Sequence, residues 1–367
     1  MKTALVCDWL TGMRGGERCL DAVCQLFPQA DIFTLVHIPR NVSKNIESHK
    51  IFTSYIQKFP VKNFRVLLPL FPHAIRQFDL SGYDFILSFS HCVAKGVKVP
   101  QNTLHICYCH TPVRYAWHMR DEYLRNNGPL KKYLAQKTLN YLQNWDKKSS
   151  ASVNKFIANS DNVQNRIKQA YNRDSIVIYP PVDCNRFAIS NQNDDYYLIV
   201  SAMVPYKRID IAVKAFDTIS KKLLIVGSGP ELNNLKKLAN SNISFVEKAS
   251  DEEIAAYLEK CKALIFPGEE DFGIVPLEAQ ACGKPVIAFG KGGALETVTS
   301  LEESPKNATG IFFHEQSPES LQKAIAFFEK NEDKISPVKC RENAMKFDTP
   351  IYQESMKNYI NSVLEKS

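Results

Sequence analysis

The sequence contains no apolar run close to the ~18 residues that a membrane-spanning helix requires. The short apolar stretch Thr3–Cys7 is interrupted by Asp8, so a secretory signal peptide is not expected at this end of the chain. Internal repeats and low-complexity tracts are also absent, which argues against repeat and fibrous architectures.

Two further absences concern metals and dinucleotides. The ten cysteines are scattered, so without a secretory signal we expect reduced thiols in a cytoplasm. Cys107-Tyr108-Cys109-His110 lacks a second ligand pair at structural-zinc spacing, so no metal is predicted. The glycine-rich stretch Gly12–Glu17 does not have the G-x-G-x-x-G spacing of a dinucleotide site.

The length and charge distribution indicate two domains. A chain of 367 residues with 44% hydrophobic and 23% charged residues suits two globular cores. Residues 1–190 carry 25 Lys and Arg against 13 Asp and Glu, whereas the remaining residues carry 21 against 26. A basic N-terminal half suits a phosphate-bearing acceptor or a membrane surface. Nucleic acid is not expected, because no nucleic-acid-binding motif or continuous basic helix is found.

Apolar runs alternate with helical patterns along the whole chain, which indicates an α/β protein with parallel sheets. Pro180 to Asp195, rich in Pro, Asn and Asp, reads as the linker between two such series. The predicted units are residues 1–185, residues 186–350 and a C-terminal helix within 351–367. The predicted strands are 3–8, 30–36, 84–89, 104–109, 156–159, 176–179, 196–201, 222–226, 243–246, 263–266 and 285–289, with helices over 19–27, 161–171 and 351–364.

The most informative stretch runs from Glu270 to Glu278, two glutamates at the ends of Glu-Asp-Phe-Gly-Ile-Val-Pro-Leu-Glu. We expect a loop there that feeds a short helix entered at Pro276, with Glu278 in its first turn and Gly283 after its end. A helix N-terminus reached from a loop is suited to phosphate, and carboxylates accept hydrogen bonds from sugar hydroxyls. Together these features suggest a nucleotide sugar. Taken alone, Glu278 could equally be a first-turn glutamate that satisfies the helix dipole.

This stretch, continued by Gly283-Lys284-Pro285 and Gly292-Gly293-Ala294-Leu295-Glu296-Thr297, resembles the E-x7-E signature of family 4 retaining glycosyltransferases. The resemblance extends over nearly the whole chain and is strongest to bacterial mannosyltransferase-like members that build lipopolysaccharide or other surface glycans. It implies the GT-B architecture, two Rossmann-like domains whose parallel sheets face a central cleft. The last helix in that fold usually crosses back to the first domain.

The resemblance assigns donor-binding roles in the C-terminal half. Lys207 matches the diphosphate-binding lysine, although a solvated basic pair at a helix start is the plain alternative. Many relatives have an arginine where this chain has Ala202, and we expect Arg208 to take over part of its role. Glu270 would contact donor-sugar hydroxyls and Glu278 the ribose. The remaining implied donor residues are Lys248, Phe272, Gly273, Ile274 and Val275. Glu247 stands where relatives have glycine.

The resemblance also implies functional residues in the N-terminal half. His110 matches a histidine near the donor sugar and, with Lys207 and Glu270, is a candidate catalytic residue. Gly15 and Gly16 would bring backbone N–H groups to the diphosphate or acceptor, unless they form a plain strand-to-helix turn. Acceptor contacts are assigned to Arg14, Ser90, His91 and Arg114.

The function predicted from this resemblance is transfer of a sugar, first of all mannose from GDP-mannose, to a glycan or lipid-linked acceptor with retention and without metal or cofactor. The alternatives are a UDP-sugar donor, a nucleotide-sugar epimerase and a non-catalytic sugar-nucleotide-binding protein. We expect a cytoplasmic protein. Two basic amphipathic stretches, within 54–77 and 129–148, could hold it on the cytoplasmic face of the inner membrane, or could be ordinary helices with one buried face.

Overall fold

The computed structural model describes residues 1–120, 128–190 and 192–365, without the side chains of 61–63 and 129–130. The chain divides into two compact units. Unit 1 comprises Met1–Pro181 and Pro350–Ser367, and unit 2 comprises Val182–Thr349.

Unit 1 is built on a parallel sheet with the strand order β3-β2-β1-β4-β5-β6-β7. Its strands are nearly continuous apolar runs, because helices cover both faces of a parallel sheet. The strands are β1 Thr3–Cys7, β2 Asp31–Thr34, β3 Ile51–Thr53, β4 Phe85–Ser90, β5 Leu104–Cys109, β6 Lys155–Ala158 and β7 Ser175–Val177. The helices are α1 Gly15–Cys24, α2 Lys44–Glu47, α3 Phe71–Ile75, α4 Pro129–Ser149 and α5 Asp161–Tyr171.

Unit 2 contains a second parallel sheet, with the strand order β10-β9-β8-β11-β12-β13. Its strands are β8 Tyr196–Val200, β9 Lys222–Val226, β10 Ile243–Val246, β11 Ala263–Phe266, β12 Val286–Phe289 and β13 Gly310–Phe313. Its helices are α6 Ile209–Asp217, α7 Leu232–Leu238, α8 Asp251–Lys260, α9 Ile274–Ala281, α10 Ala294–Thr297, α11 Pro318–Glu329 and α12 Pro337–Met345. The expected α/β class with two parallel sheets is confirmed.

The last helix, α13 Thr349–Leu364, contributes to the core of unit 1. Tyr352, Met356, Ile360 and Val363 recur at helical spacing and are buried in the same apolar cluster as residues of α1. None of the described helices combines the length and apolarity that crossing a membrane would require.

Two helix starts differ from the predictions. Helix α1 begins at Gly15, not at Cys19, so Gly15 and Gly16 form its first turn instead of a preceding loop. Helix α9 begins at Ile274, two residues before Pro276, because Gly273 takes a left-handed conformation (φ 96°) that ends the preceding loop early. Proline is tolerated at the third helical position, since the first N–H groups of a helix have no intrahelical partner.

A buried ion pair links α4 to the segment after β4. Lys95 and Asp146 are 1% and 0% exposed, and their side chains form a salt bridge. The second carboxylate oxygen of Asp146 accepts hydrogen bonds from Trp117 Nε1 at 2.9 Å and Tyr171 Oη at 2.7 Å. Burial alone would lower the pKa of Lys95, but Asp146 raises it above its ordinary value, so the charged ammonium form of Lys95 is favoured despite its burial.

Glu17, in the first turn of α1, is a second buried acid. Its carboxylate accepts a hydrogen bond from the backbone N–H of Arg14 at 3.2 Å. Burial nevertheless raises the pKa of Glu17 from 4.5 to about 7, against the lowering effect of its hydrogen bonds and of Arg14. The carboxyl group is therefore protonated in mildly acidic solution and ionises, at a cost, as the pH rises through about 7.

We expect Asp146→Asn to lower the free energy of unfolding of unit 1 by about 3–5 kcal/mol, because Lys95 would remain buried without a counter-charge. All three tryptophans lie in unit 1, so tryptophan fluorescence during urea unfolding reports on that unit. Asp174→Asn breaks the exposed Lys168–Asp174 pair and should cause no measurable change. The double variant Lys95→Met/Asp146→Leu should be more stable than Asp146→Asn. A loss below about 1 kcal/mol in Asp146→Asn would contradict the role assigned to the pair.

We expect Glu17→Gln to become more stable relative to wild type as the pH rises from 5 to 8. The pKa of Glu17 is near 4.5 in the unfolded chain and about 7 in the folded protein. The protonated carboxyl group therefore contributes its full stabilisation below pH 4.5, and this contribution is lost as the pH rises through about 7. A shift of that size corresponds to a difference of about 3 kcal/mol. Urea unfolding at several pH values measures it. Glu319→Gln, an exposed first-turn change in α11, is the control, and a parallel pH dependence of wild type and Glu17→Gln would refute the expectation.

Candidate functional site

The strand order of unit 2 locates its ligand-binding edge. From β8 the sheet grows in one direction through β9 and β10, and in the other through β11, β12 and β13. In open parallel sheets ligands bind beyond the carboxyl ends of the strands, where the strand order reverses. The loops after β8 and β11 flank that point. They carry Lys207 and Glu270, two of the predicted site residues.

Lys207 and Glu270 form a salt bridge at this edge. Their side chains are 15% and 21% exposed, so the pair is largely shielded from solvent yet reachable. The two loops touch through backbone at Gly268, where a Cβ atom would lie 2.9 Å from Lys207 Cα. Only glycine allows the two backbones to approach so closely. The approach places the Lys207 ammonium beside the Glu270 carboxylate, which can accept hydrogen bonds from sugar hydroxyls.

Arg208 follows Lys207 in a left-handed conformation (φ 52°). Its guanidinium donates to Asp210 at 3.1 and 3.4 Å and to Gln316 Oε1 at 3.3 Å. Gln316 in turn donates to the carbonyl of Pro267 at 3.2 Å. Through Gln316, Arg208 therefore connects the loop after β8 to the loop after β11, the two loops that carry the ion pair. We expect Arg208 to take over the phosphate contact that relatives make with an arginine at the position of Ala202. To bind phosphate, its guanidinium would have to release Asp210 or Gln316.

The predicted donor segment Phe272–Val275 forms the start of α9. Phe272 is buried, and the loop containing Gly292 and Gly293 lies against it, since a Cβ on Gly293 would lie 2.2 Å from Phe272 Cα. The N–H of Gly293 donates to the carbonyl of Glu270 at 2.9 Å. The N–H groups of Ile274 and Val275 belong to the first helical turn, where no intrahelical acceptor exists.

Glu278 is the fifth residue of α9 and is 8% exposed. Its expected position in the first turn is wrong, because the helix begins earlier than predicted. The alternative explanation, that Glu278 only stabilises the helix dipole, is therefore less well supported. The favourable interaction of an acidic side chain with the dipole decays within the first turn, and Glu278 lies beyond it.

Lys248 and Glu247 lie beyond β10, at the outer strand of this sheet. Two strand spacings separate β10 from β8, which places them about 10 Å along the edge from the Lys207 loop. Both are exposed, and Glu247 forms a surface ion pair with Lys236 at 2.7 Å. The structure therefore does not bring Lys248 together with the ion pair.

A surface depression of about 810 Å³ lies at the opposite edge of the same sheet, near the amino ends of β8 and β9. There Asn242 donates hydrogen bonds to the carbonyls of Phe216, Ile219 and Lys221 and ties the surrounding turns together. This depression holds none of the predicted site residues.

Unit 1 has a corresponding switch point between β1 and β4. Asp8 follows β1, and its buried carboxylate accepts the N–H groups of four consecutive residues after β4, 91–94, at 2.6–2.9 Å. The carboxylate also contacts His91 Nδ1 at 3.1 Å. The sequence analysis treated Asp8 only as the end of an apolar run. An acid directly after the first strand of a parallel sheet was the available signal.

The predicted residues of unit 1 fall into one cluster at this edge. A Cβ on Gly16 would lie 3.4 Å from His110 Nε2, so the first turn of α1 borders the His110 ring. The ring centroids of His110 and His91 are 6.3 Å apart. Burial lowers the pKa of His91; nearby Arg114, Arg65 and Arg14 also lower it, and Asp8 raises it. Ser90 is instead buried and accepts the N–H of Lys95 at 3.3 Å, a supporting position.

In the part of the chain that the structure describes, no three His, Cys, Asp or Glu side chains are grouped so as to hold a metal ion. Each unit thus presents its own set of cations, carboxylates and backbone N–H groups at the edge of its sheet. Such groups can neutralise a diphosphate and accept sugar hydroxyls.

Comparisons with known proteins agree with this geometry. The family model described as Glycosyltransferase Family 4 matches residues 13–186, and that described as Glycosyl transferases group 1 matches residues 183–347. The chain is 28% identical to the alpha-1,3/1,6-mannosyltransferase ALG2 of Saccharomyces cerevisiae, over 64% of this chain and 56% of that protein.

A GDP-mannose-dependent alpha-(1-6)-phosphatidylinositol monomannoside mannosyltransferase of Mycobacterium tuberculosis is 33% identical, over 35% of this chain and 36% of that protein. The chain spans about half the length of the first curated relatives, 53% and 56%. Among solved structures, Anabaena HepE in complex with UDP and glucose has a TM-score of 0.73 at 19% identity, covering 99% of this chain and 100% of that one. With both halves matched, the chain belongs to glycosyltransferase family 4, and its two parallel-sheet units have the GT-B fold.

Proposed function

We propose that this protein is a retaining glycosyltransferase that transfers mannose from GDP-mannose to a glycan or glycolipid acceptor in bacterial surface polysaccharide or lipopolysaccharide synthesis. The observation that carries the proposal is the Lys207–Glu270 pair beside the first turn of α9, at the switch point of unit 2. This arrangement can neutralise a diphosphate and orient the attached sugar.

The diphosphate would bind to Lys207 and to the N–H groups at the start of α9. A lysine ammonium and helix N-terminal amides stabilise negative charge as it develops on a leaving diphosphate. Arg208 would assist after releasing Asp210 or Gln316. The donor would then extend along the sheet edge towards Lys248, with the ribose at Glu278 and the sugar at Glu270.

The transfer itself would follow the same-face route implied by the family resemblance. The leaving phosphate would help to deprotonate the acceptor hydroxyl as the new bond forms. Glu270 would hold the sugar by its hydroxyls and, through its ion pair, keep the Lys207 ammonium in place.

The choice of GDP-mannose is supported by the mannosyltransferase relatives, one of which is named as GDP-mannose-dependent. A UDP-sugar is the second candidate, because HepE, a protein of the same fold, was solved with UDP and glucose. In this proposal the nucleobase would reach exposed Glu247, just after β10. Glu247 would therefore influence whether guanine or uracil is accepted.

Unit 1 would bind the acceptor and also lie on the cytoplasmic surface of a membrane. Its exposed surface includes large apolar side chains at Val66, Leu70, Tyr133, Leu134 and Tyr141. On α4 these alternate with exposed lysines, a composition typical of helices that rest on anionic lipid. The exposed apolar face of α4 is defined by Tyr133, Leu134, Lys137 and Tyr141, which lie within about 100° of one another around the helix.

We expect GDP and GDP-mannose to bind wild type, and Lys207→Ala to weaken both at least about tenfold, since a charged hydrogen bond to phosphate is lost. Glu270→Gln should bind GDP no more weakly than wild type but transfer mannose far more slowly, because a neutral amide with one acceptor oxygen replaces the charged carboxylate that would hold the sugar hydroxyls. Titration calorimetry and product analysis measure these effects.

The matched control is Lys339→Ala, which removes an exposed lysine paired with Glu342 in the same unit and should bind GDP like wild type. Binding of UDP but not GDP would replace the donor by the second candidate. Release of an isomerised sugar nucleotide without acceptor would indicate an epimerase. Absence of binding to any nucleotide would refute the donor site.

We expect the protein to co-sediment with vesicles of phosphatidylglycerol and not with those of phosphatidylcholine. Tyr133→Ser/Leu134→Ser should release a large part of the bound protein, because both side chains are more than half exposed on α4. Leu238→Ser removes a comparably exposed leucine from unit 2 and should leave binding unchanged. Equal binding by all variants would argue against the α4 face as the membrane contact.

A further inference from the structure

Asp8 fixes both the backbone and the ring of His91 at the switch point of unit 1. Its two carboxylate oxygens accept the N–H groups of residues 91–94, and the oxygen that accepts the N–H of His91 also lies 3.1 Å from Nδ1 of the same residue. The Asp8 side chain is completely buried, whereas that of His91 is 35% exposed. The imidazole is therefore anchored on one side and accessible to a ligand beyond the carboxyl ends of β1 and β4.

The contact with Asp8 decides which nitrogen of His91 a ligand meets. A carboxylate only accepts hydrogen bonds, so the proton of a neutral imidazole lies on Nδ1, and Nε2 carries a lone pair. Among the residues that the structure describes, none forms a hydrogen bond with Nε2. His91 thus presents a hydrogen-bond acceptor of fixed orientation.

The surroundings of His91 favour this neutral form. Burial lowers the pKa of His91 more than the Asp8 carboxylate raises it, and Arg114, Arg65 and Arg14 lower it further. The net shift is downward from the ordinary value of 6.5. At neutral pH the ring is therefore uncharged, and Nε2 accepts a hydrogen bond instead of donating one.

The indole of Trp9 lies beside this imidazole. Trp9 follows Asp8 in the chain, and its ring meets that of His91 edge to face with centroids 4.4 Å apart. Phe64 and Phe71 pack on the indole at centroid distances of 5.4 and 6.3 Å. Trp9 is half-buried, and its Nε1 has no acceptor within the described part of the chain. A second polar group, here a donor, is therefore held next to the first.

An uncharged acceptor and an uncharged donor, side by side, match the hydroxyls of a sugar. A hydroxyl donates one hydrogen bond and accepts others, so one hydroxyl of a pyranose can donate to His91 Nε2 while its neighbour accepts from Trp9 Nε1. Both side chains are fixed by contacts within unit 1, so binding costs little side-chain entropy. Neither group carries a charge that would require a charged ligand.

We propose that Trp9 and the Asp8-held His91 form a subsite for two neighbouring hydroxyls of an uncharged hexopyranose, the sugar of the acceptor. His91 and Trp9 contact the sugar, and Asp8 is a positioning residue that fixes the tautomer of His91. The subsite rests on the proposed role of unit 1 in acceptor binding and names the chemical group that unit 1 recognises.

The first test is nitrogen NMR of the full chain labelled with ¹⁵N-histidine, at neutral pH. The His91 signal is assigned by its absence in His91→Asn. We expect the proton of His91 on Nδ1 and an unprotonated Nε2. At least one of methyl α-mannoside, methyl α-glucoside and methyl β-galactoside should shift the Nε2 resonance, because a hydroxyl donates to it. The ring without hydroxyls, 2-methoxytetrahydropyran, should leave the resonance unchanged.

The second test measures the Kd of the same glycosides by ligand-observed NMR. His91→Asn keeps an amide N–H directed at Asp8 but lacks the Nε2 acceptor, so its Kd should rise about tenfold. In His91→Gln the longer side chain brings an amide oxygen near the Nε2 position, which should restore part of the binding. Trp9→Phe keeps the aromatic packing and removes only the N–H, so its Kd should rise at least about threefold.

His73→Asn is the matched control, because His73 is an exposed histidine of unit 1 that contacts the hydroxyl of Tyr55. Its Kd should stay within about twofold of wild type. Asp8→Asn should lose the preference for a proton on Nδ1. Since four backbone N–H groups depend on Asp8, circular dichroism first checks that this variant folds, and the wild-type spectrum and the His91 and Trp9 variants decide the test if it does not.

Three results would overturn the subsite: a proton on His91 Nε2 in the wild type, no shift of Nε2 with any of the glycosides, or unchanged glycoside binding in both His91→Asn and Trp9→Phe. GDP binding is measured on the same samples and should equal that of wild type in both variants. If GDP does not bind but a glycoside binds through His91, the donor proposal fails and the subsite stands. If GDP binds and no glycoside does, the subsite alone fails.

Discussion

Parallel strand pairing is the constraint on which both candidate sites depend. All strands of a parallel sheet end at the same edge, so residues far apart in sequence meet where the strand order reverses. In unit 2 this edge joins Lys207 to Glu270, 63 positions later in the chain. In unit 1 it joins Asp8 to the backbone after β4. The chemistry of each edge differs because the loops differ, while the sheet that presents them is the same.

The carboxylates at the two sheet edges have different partners. In unit 2 the cation is matched by a carboxylate, so a donor diphosphate would compete with Glu270 for Lys207. In unit 1 the carboxylate of Asp8 instead accepts four backbone N–H groups and contacts His91 Nδ1, so it is engaged within the protein. The buried Lys95–Asp146 ion pair, also in unit 1, is completed by hydrogen bonds from Trp117 and Tyr171 and holds α4 in place.

Several strands follow directly from local pattern. Leu104–Cys109, Lys222–Val226, Ile243–Val246 and Ala263–Phe266 were predicted with the bounds that the structure has, because uninterrupted apolar runs between turn residues have few alternatives. The short edge strand β3 and the strand β13 were not predicted. Helix α9 was placed two residues late, since a left-handed glycine moves a helix start in a way that composition does not reveal.

The sequence by itself determined the α/β class, the two strand–helix series and, through the Glu270–Glu278 signature, the family resemblance. These depend on local periodicity and short motifs, which one chain displays directly. Only the tertiary structure decided that Lys207 pairs with Glu270, that Arg208 donates to Gln316, and that Asp8 contacts His91. Those contacts join residues tens of positions apart or more, and strand order alone decides which distant loops become neighbours.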